Sequence, residues 1–194
     1  LQGIPRELWV VSKDGQGLRA LAGEGSGGNK GAWAPDGRVV LSFERFDVDP
    51  DPGLRLVDLE TGDAEEMPGT NGLAGVASTP DGRLLAAHDW GRRGREQGQQ
   101  IRLFDWETGA WRALEGAIGG LLQWSADGRY LYFDCGVDET AQRVCRVLSD
   151  TGEIETVVEE VPAETLWNVD PEGRVVGQRT IDSWDIYAWD LELP

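Results

Sequence analysis

The chain has 194 residues and a formal net charge of −17, from 18 basic and 35 acidic residues. Its length suits one domain over residues 1–194, because a chain of this size buries about 70% of its unfolded surface. The charge disfavours nucleic acid as a partner, and no apolar run approaches the ~20 residues that span a bilayer, so we expect no membrane insertion.

A short turn motif recurs along the chain at nearly constant spacing. It occurs as Pro35–Arg38, Pro80–Arg83, Ala126–Arg129 and Pro171–Arg174, with its acidic residue and glycine at 36–37, 81–82, 127–128 and 172–173. Successive glycines are 45, 46 and 45 residues apart, a period typical of modular β proteins. Such turns close hairpins because glycine accepts a left-handed backbone. We therefore predict that the four glycines are left-handed and equivalent.

A second series of turns alternates with the first. Thr61-Gly62, Thr108-Gly109 and Thr151-Gly152 each follow a segment with alternating apolar residues. Two hairpins per period predict four antiparallel strands per repeat. In the third repeat the predicted strands are Gly120–Trp124, Arg129–Asp134, Arg143–Leu148 and Glu153–Val158.

Three segments resemble a known repeat. The stretches that begin at Ala32, Gln123 and Leu166 resemble the blade of TolB-like, WD-repeat-like bacterial propellers, which has a tryptophan, a tight turn and an aliphatic second strand. Trp33, Trp124 and Trp167 match the tryptophan, and the second repeat departs from the pattern. The resemblance implies an all-β propeller of four-stranded antiparallel blades, with these tryptophans in its core. Alternation along the predicted third strands places Trp106 and Trp189 in the core as well. The final segment also resembles the last strand of propellers fused behind bacterial sensor and regulatory modules.

The strand count is one more than four closed blades require. Leu8–Val11 and Ile186–Asp190 compete for the third position of one blade. The sequence thus predicts about four blades that either belong to a larger ring or close with one strand displaced. In the first case an unpaired edge strand favours self-association.

The long loops are predicted to gather on one face, opposite the tight turns. That face should carry binding, because long loops on a rigid scaffold commonly do. Candidate ligand-binding residues, which combine aromatic faces with guanidinium groups in an acidic chain, are Trp90, Arg92, Arg93, Arg95 and Trp184. For the arginines themselves, the favoured interpretation is a solvated hairpin tip that pairs with nearby acids.

Two further features carry weaker expectations. Asp47, Asp49 and Asp51 alternate as in a calcium loop, although Pro52 stands where that loop needs glycine, so a solvated acidic loop is favoured.

Cys135 and Cys145 flank one hairpin loop and either form a disulfide or remain buried thiols, the second being favoured. No cofactor is expected. The compartment stays open, with an extracytoplasmic setting favoured over a cytoplasmic one.

Catalysis finds little support in the sequence. His88 is the only histidine, and the chain has no Gly-x-Ser-x-Gly elbow. We therefore expect a non-catalytic binding or sensory propeller that recognises a protein or small ligand on its long-loop face. The alternative is the accessory propeller of a prolyl-oligopeptidase-type serine peptidase, whose hydrolase domain would lie outside this chain.

Overall fold

The computed structural model describes residues 8–21, 28–43, 53–90, 99–136, 141–162, 166–181 and 185–190. In this part of the chain every regular element is a β-strand, and there is accordingly no helix able to cross a membrane. The 17 strands are β1 (Trp9–Val10), β2 (Arg19–Ala20), β3 (Gly28–Trp33), β4 (Val39–Phe43), β5 (Leu54–Val57), β6 (Ala64–Glu66), β7 (Leu73–Ser78), β8 (Leu84–Asp89), β9 (Gln100–Asp105), β10 (Ala110–Ile118), β11 (Gln123–Trp124), β12 (Tyr130–Cys135), β13 (Ala141–Leu148), β14 (Ile154–Pro162), β15 (Leu166–Val169), β16 (Val175–Ile181) and β17 (Asp185–Asp190).

The strands form five antiparallel sheets in which sequence neighbours pair. Three sheets have four strands each, namely β3–β6, β7–β10 and β11–β14. The first sheet contains only β1 and β2, and the last contains β15, β16 and β17. This arrangement confirms the prediction of four-stranded antiparallel blades, about four in the chain. Among the described strands the first and last sheets do not pair with each other, so the ring is not closed by them.

The predicted glycine turns are equivalent. Gly37, Gly82, Gly128 and Gly173 have φ of 87°, 73°, 69° and 84°, and each amide donates to the carbonyl three residues earlier. A left-handed φ at these positions favours glycine, because other residues pay a steric cost there. The prediction of a left-handed turn at the same end of successive blades is therefore confirmed.

The blades pack face to face through four apolar clusters. Strands in the middle of a blade are buried on both sides: Leu131 and Phe133 of β12 face the blade before, whereas Tyr130 and Tyr132 face the blade after. The same alternation places Leu84 on one side of β8 and Leu85 on the other. Because the side-chain period of a strand is two, each blade contributes to two interfaces. The core is thus a series of interfaces rather than one central cluster.

The tryptophans depart from expectation at two positions. Trp33 was predicted to be buried but is 54% exposed. Trp167 is buried, yet the register pairs Val169 with Val175, as it pairs Trp33 with Val39, so Val169 is the true equivalent of Trp33. Trp124 packs against the preceding blade, and its Nε1 donates to the carbonyl of Ala77 at 3.0 Å. The first repeat lacks such a neighbour among the described residues, which explains why Trp33 is exposed.

Other predicted aromatic positions can be placed in part. Trp106 is partly buried against the cluster between the first two complete blades, as expected. The side chain of Trp189 lies outside the described residues.

The two cysteines are joined. Cys135 on β12 and Cys145 on β13 form a disulfide, with their Cα atoms 5.8 Å apart. The favoured expectation of two buried thiols is therefore wrong. In the register Cys145 lies opposite Phe133 and Cys135 lies opposite Arg143, so the pair is diagonal across the two strands. Diagonal neighbours on one face of a twisted hairpin are close enough to be bridged.

Candidate functional site

The first strands of neighbouring blades lie side by side. Contacts join β3 to β7, β7 to β11 and β11 to β15, as expected for inner strands that surround a central axis. The tight glycine turns lie at one end of these strands. At the other end lie the connections that contain the longer loops, and we call this end the long-loop face.

Three polar side chains occupy the same position on successive second strands. Ser42 on β4, His88 on β8 and Asp134 on β12 are 46 residues apart along the chain. Each is the third residue after the second-strand residue that pairs with the end of the inner strand, which is Val39, Leu85 or Leu131. Ser42 and His88 are 0% and 3% exposed. Buried polar groups at equivalent positions near the axis indicate a built feature, because burial of such groups costs free energy unless they are paired.

Each of these side chains is close to a glycine that lies within an inner strand or shortly before one. The amide of Gly75 donates to Ser42 Oγ at 2.9 Å, and the amide of Gly120 donates to Asp134 Oδ1. His88 packs directly on Gly75, where any side chain would collide with its imidazole. Gly75 has a φ of 63° and lies in a β-bulge between Ala74 and Ala77. Glycine is thus required at this contact for both space and backbone conformation.

The space beside Gly120 is bordered by three polar atoms. A Cβ at Gly120 would lie 3.1 Å from Gln99 Oε1, 3.5 Å from Asp134 Oδ1 and 3.7 Å from His88 Nε2. The next residue, Leu121, has a φ of 48°, which is a strained conformation for leucine. Strain of this kind persists where the surrounding structure holds it, and it is common at functional sites. We call Lys30, Ser42, His88, Gln99 and Asp134 the inner polar cluster.

The electrostatics of the inner polar cluster centre on Asp134. Burial raises the pKa of this carboxyl above its ordinary value, and the hydrogen bond from Gly120 and the charge of Lys30 offset the effect only in part. Lys30 is on β3, two blades away, and pairs with Ser42 in the register. The cluster therefore couples charges from the first and third complete blades.

The histidine also connects the cluster to the loop that follows β8. His88 Nδ1 lies 3.2 Å from the carbonyl oxygen of Asp89. A hydrogen on Nδ1 lets the ring donate to that oxygen, and in this tautomer Nε2 is an acceptor. The ring centroids of His88 and Trp90 are 5.5 Å apart. Trp90 therefore adds an aromatic surface where the inner polar cluster meets the long-loop face.

A buried ion pair fixes the end of β8. Arg102 donates from Nε and Nη2 to the two carboxylate oxygens of Asp89, at 3.0 and 3.1 Å. Asp89 is 2% exposed, and the amide of Trp90 donates to the carbonyl of Gly72 at 2.6 Å. Paired donors on a planar guanidinium hold a carboxylate in one orientation. This arrangement gives Trp90 a defined position at the start of the loop.

The sequence-predicted site residues are placed only in part. Trp90 lies beside the inner polar cluster, whereas Arg92, Arg93, Arg95 and Trp184 lie outside the described residues. The weak calcium candidates Asp47, Asp49 and Asp51 also lie outside them. Within the described ranges no three histidine, cysteine or acidic side chains form a group that could hold a metal ion.

Sequence reasoning missed the inner polar cluster. Its one signal was the spacing of 46 residues from Ser42 to His88 and from His88 to Asp134. The three residue types differ, so a search for a conserved motif does not detect them. They lie five, six and six residues after the turn glycines Gly37, Gly82 and Gly128, so the turns alone do not show that they share one position.

Comparison with known proteins identifies the fold. No sequence-family model and no curated protein matches the chain. Among solved structures it is similar to an oligogalacturonate lyase from Vibrio parahaemolyticus, with a TM-score of 0.63 and 15% identity over 95% of this chain. It is also similar to a protein from Agrobacterium tumefaciens described as TolB, at 0.61 and 17% over 95% of the chain. The β-propeller domain of the Trilobed protease from Pyrococcus furiosus, which has an open velcro topology, gives 0.57 and 16% over 84%.

These similarities concern the fold, because identities of this size show nothing about activity. The chain spans 57%, 66% and 53% of the lengths of the lyase, the TolB-type protein and the protease propeller, respectively. Five successive antiparallel sheets, equivalent glycine turns and these three neighbours agree. The chain is a partial β-propeller with a TolB-like fold.

Proposed function

We propose that this chain is a non-catalytic binding propeller that recognises a carboxylate-bearing ligand, on a protein or a small molecule, at its long-loop face. One observation carries the proposal. Of the histidine and acidic side chains in the described part of the chain, the two buried ones, His88 and Asp89, both lie at this face. Buried titratable groups concentrate at functional sites, because their burial costs stability that structure alone does not repay.

The tight-turn face offers a contrast. The buried polar side chains there are hydroxyls. Thr79 and Ser125 form hydrogen bonds with backbone amides and aspartates of their own turns. Arg38 pairs with Asp36 and Glu65 on the same face. These polar groups therefore have a structural role in the turns, and they give no indication of a binding site on this face.

The ligand chemistry rests on residues around Trp90. Arg92, Arg93 and Arg95 follow this tryptophan in a chain whose net charge is −17, and Trp184 belongs to the proposed site as well. Guanidinium groups bind carboxylates through paired donors, and tryptophan supplies a stacking surface. The lyase with a similar fold is described as acting on oligogalacturonate, which is a polycarboxylate. That likeness makes an acidic sugar a rational probe beside an acidic peptide.

Calorimetric titration with trigalacturonate and with hexaglutamate tests the proposal. We expect at least one probe to bind the parent chain. Replacing Arg92, Arg93 and Arg95 together with alanine should weaken binding by about 1–2 kcal/mol, or about tenfold in Kd. The Tm should change little, because exposed charges contribute little to folding.

The matched control removes the same charge from the opposite face. Arg38, Arg83 and Arg129 are replaced together with alanine, and this variant should bind the probes as the parent does after correction for its lower stability. An equal loss of affinity in both variants would show that binding depends on the net charge of the chain and not on the long-loop face. Absence of binding by the parent to both probes would exclude the ligand class.

A second candidate function has one observation in its favour. The similarity to the propeller of the Pyrococcus furiosus protease supports an accessory propeller that gates a prolyl-oligopeptidase-type hydrolase. The coding sequence that flanks this chain separates the two. A downstream Gly-x-Ser-x-Gly domain supports the peptidase, whereas an upstream kinase or winged helix supports the sensor.

The disulfide bears on the compartment. Disulfides persist in oxidising compartments and are rare in the cytosol, so the bond between Cys135 and Cys145 supports an extracytoplasmic setting. Thiol trapping of the protein in its native cells tests this. Alkylation of both cysteines before any reduction would contradict it.

A further inference from the structure

The two incomplete sheets are complementary parts of one blade. The sheet of β1 and β2 directly precedes β3, the first strand of a complete blade, as the third and fourth strands β5 and β6 precede β7. The sheet of β15, β16 and β17 directly follows β14, the fourth strand of a complete blade, and Gly173 closes its first turn onto Asp170 as Gly37, Gly82 and Gly128 close the first turns of the complete blades. Thus β1 and β2 are third and fourth strands, and β15, β16 and β17 are first, second and third strands. The chain carries every strand of one more blade, divided between two sheets.

An exposed tryptophan marks the first sheet as unfinished. Trp33 and Trp124 are equivalent, since each lies four residues before the glycine of its tight turn and ends the first strand of its blade, where it pairs with Val39 or Leu131. Trp124 contacts the inner strand of the preceding blade through the Ala77 carbonyl. Trp33 is 54% exposed and faces the side on which β1 and β2 pack, through Val39, Leu41 and Leu8. Trp33 would therefore be covered if an inner strand extended the interface between the β1–β2 sheet and the β3–β6 sheet.

An exposed valine marks the last sheet in the same way. In the second strands of the complete blades, the residue that faces the following blade is Val40, Ala86 or Tyr132, and these are 0%, 0% and 2% exposed. The equivalent on β16 is Val176, which is 37% exposed. The last sheet thus lacks the blade that should follow it, and the first sheet lacks the strands that should precede Trp33.

We propose that two copies of this chain associate head to tail, so that β1 and β2 of each copy complete the sheet of β15 and β16 of the other. Trp33 of one copy then packs against Val176 of its partner. On the outer edge of β16, β1 of the partner replaces β17, which holds that edge in the single chain. We favour a second copy as the partner, because each copy presents both incomplete sheets.

The resulting assembly is a closed ring with two-fold symmetry. Each copy contributes three complete blades, and strands from both copies form one shared blade at each of the two contacts. The ring therefore has eight blades. Propellers of four to eight blades are typical. Closure also removes the edge strands, which is the usual way propellers protect them. Because each chain carries a charge of −17, added salt should strengthen the association by screening repulsion.

Sedimentation velocity over a wide concentration range tests the mass. We expect a species of twice the 21.2 kDa chain, more populated at high salt. Trp33→Ala and Val176→Glu should each weaken the association at least about tenfold. The matched controls Ile118→Ala and Ile154→Glu alter side chains that are 45% and 36% exposed elsewhere, and they should leave it unchanged.

Cross-linking tests the geometry. Trp33→Cys and Val176→Cys chains are mixed and treated with a short bis-maleimide, with the native disulfide intact. The proposal expects cross-linked pairs from the mixture and few from either variant alone. A monomer at every concentration, or an association that Trp33→Ala and Val176→Glu do not weaken, would overturn the proposal. So would cross-linking within one chain when both cysteines are introduced into the same chain.

Discussion

In the three complete blades, the longer of two turn lengths occurs where a hydroxyl side chain begins the turn. In the second and third turns, Thr79 Oγ1 and Ser125 Oγ accept from the amides of Leu84 and Tyr130 at 3.0 Å, five residues later. In the first turn the equivalent residue is Ala34, and its amide donates to the carbonyl of Arg38, only four residues later. The extra residue is thus accommodated by a side-chain acceptor.

Removing that acceptor should destabilise the longer turn. Ser125→Ala leaves the Tyr130 amide without its partner, so we expect a loss of about 1–2 kcal/mol in the free energy of unfolding, measured by urea denaturation. The control is Ala34→Ser, which adds a hydroxyl to the shorter turn and should change stability little. An equal effect of the two substitutions would show that the hydroxyl does not set the turn length.

The turn glycines provide a second residue-scale prediction. Gly128 has a φ of 69°, and a Cβ there would meet only ordinary contacts with Thr79 and Pro80. The cost of Gly128→Val should therefore come from the backbone and amount to about 1–2 kcal/mol. Gly128→Asn should cost less, because asparagine tolerates this conformation better. A similar cost for both variants in thermal unfolding would point to lost space instead.

Two aspartates should respond oppositely to pH. Hydrogen bonds from the Ser125 side chain and the Arg129 amide lower the pKa of Asp127. The ionised carboxylate therefore stabilises the fold above the ordinary aspartate pKa, and this stabilisation is lost as pH falls through the lowered pKa. Burial raises the pKa of Asp134, so stability is lost as pH rises through the raised value.

Substitution by asparagine separates the two cases. Relative to the parent, Asp127→Asn should lower the Tm at neutral pH and have little effect in acid. Asp134→Asn should raise the Tm at neutral pH, and that difference should also vanish in acid. Thermal unfolding between about pH 3 and pH 7 covers both transitions. A Tm decrease for Asp134→Asn at neutral pH would contradict the sign derived from burial.

At the scale of elements, the disulfide stabilises the hairpin of β12 and β13. Cys135 and Cys145 are separated by 10 residues, so the loop-closure model gives a stabilisation of about 2–3 kcal/mol. The Cys135→Ser, Cys145→Ser double variant should lose about this amount in urea denaturation. Cys135→Ala with Cys145→Val serves as a control with apolar replacements and should recover part of the packing against Leu131 and Phe133. An unchanged stability in the serine variant would contradict a structural role for the bond.

Element boundaries were predictable to within a few residues, except at the start of the third blade. The predicted strand Gly120–Trp124 is reduced to β11, Gln123–Trp124. Gly120 is instead held by Asp134 and Leu121 is left-handed. Alternation of apolar residues cannot reveal this, because the change depends on a side chain from the next strand. The predicted strand Glu153–Val158 extends to Pro162 as β14, because pairing with β13 continues through two irregularities.

At the scale of the molecule, turn spacing predicted the blades and their open ends, but the candidate site only in part. Turn chemistry is local, so identical short motifs reveal the repeat. The inner polar cluster depends on register, since Ser42, His88 and Asp134 become equivalent only when the blades are aligned by the pairing of their first and second strands. Exposure of Trp33 depends on which strands precede it in space, and a repeat pattern treats all blades as alike.

The open ends also make the whole molecule sensitive to its partners. The sheets at the two ends have two and three strands, against four in each complete blade. Unfinished sheets leave edge hydrogen bonds and apolar faces that invite pairing. We therefore expect amides of β1 to exchange hydrogen faster than those of β8, which is paired on both sides. Dilution below the association range should widen this difference in a hydrogen-exchange experiment.

We expect recognition at the long-loop face, around Trp90 and the inner polar cluster. The decisive experiment is hydrogen exchange of the parent chain, measured with and without saturating trigalacturonate or hexaglutamate. Binding should slow exchange in residues 88–90, 99–102 and 134–136 and leave exchange in the turns at 34–38, 79–84 and 125–130 unchanged. Protection confined to those turns, or no protection by either probe, would contradict it.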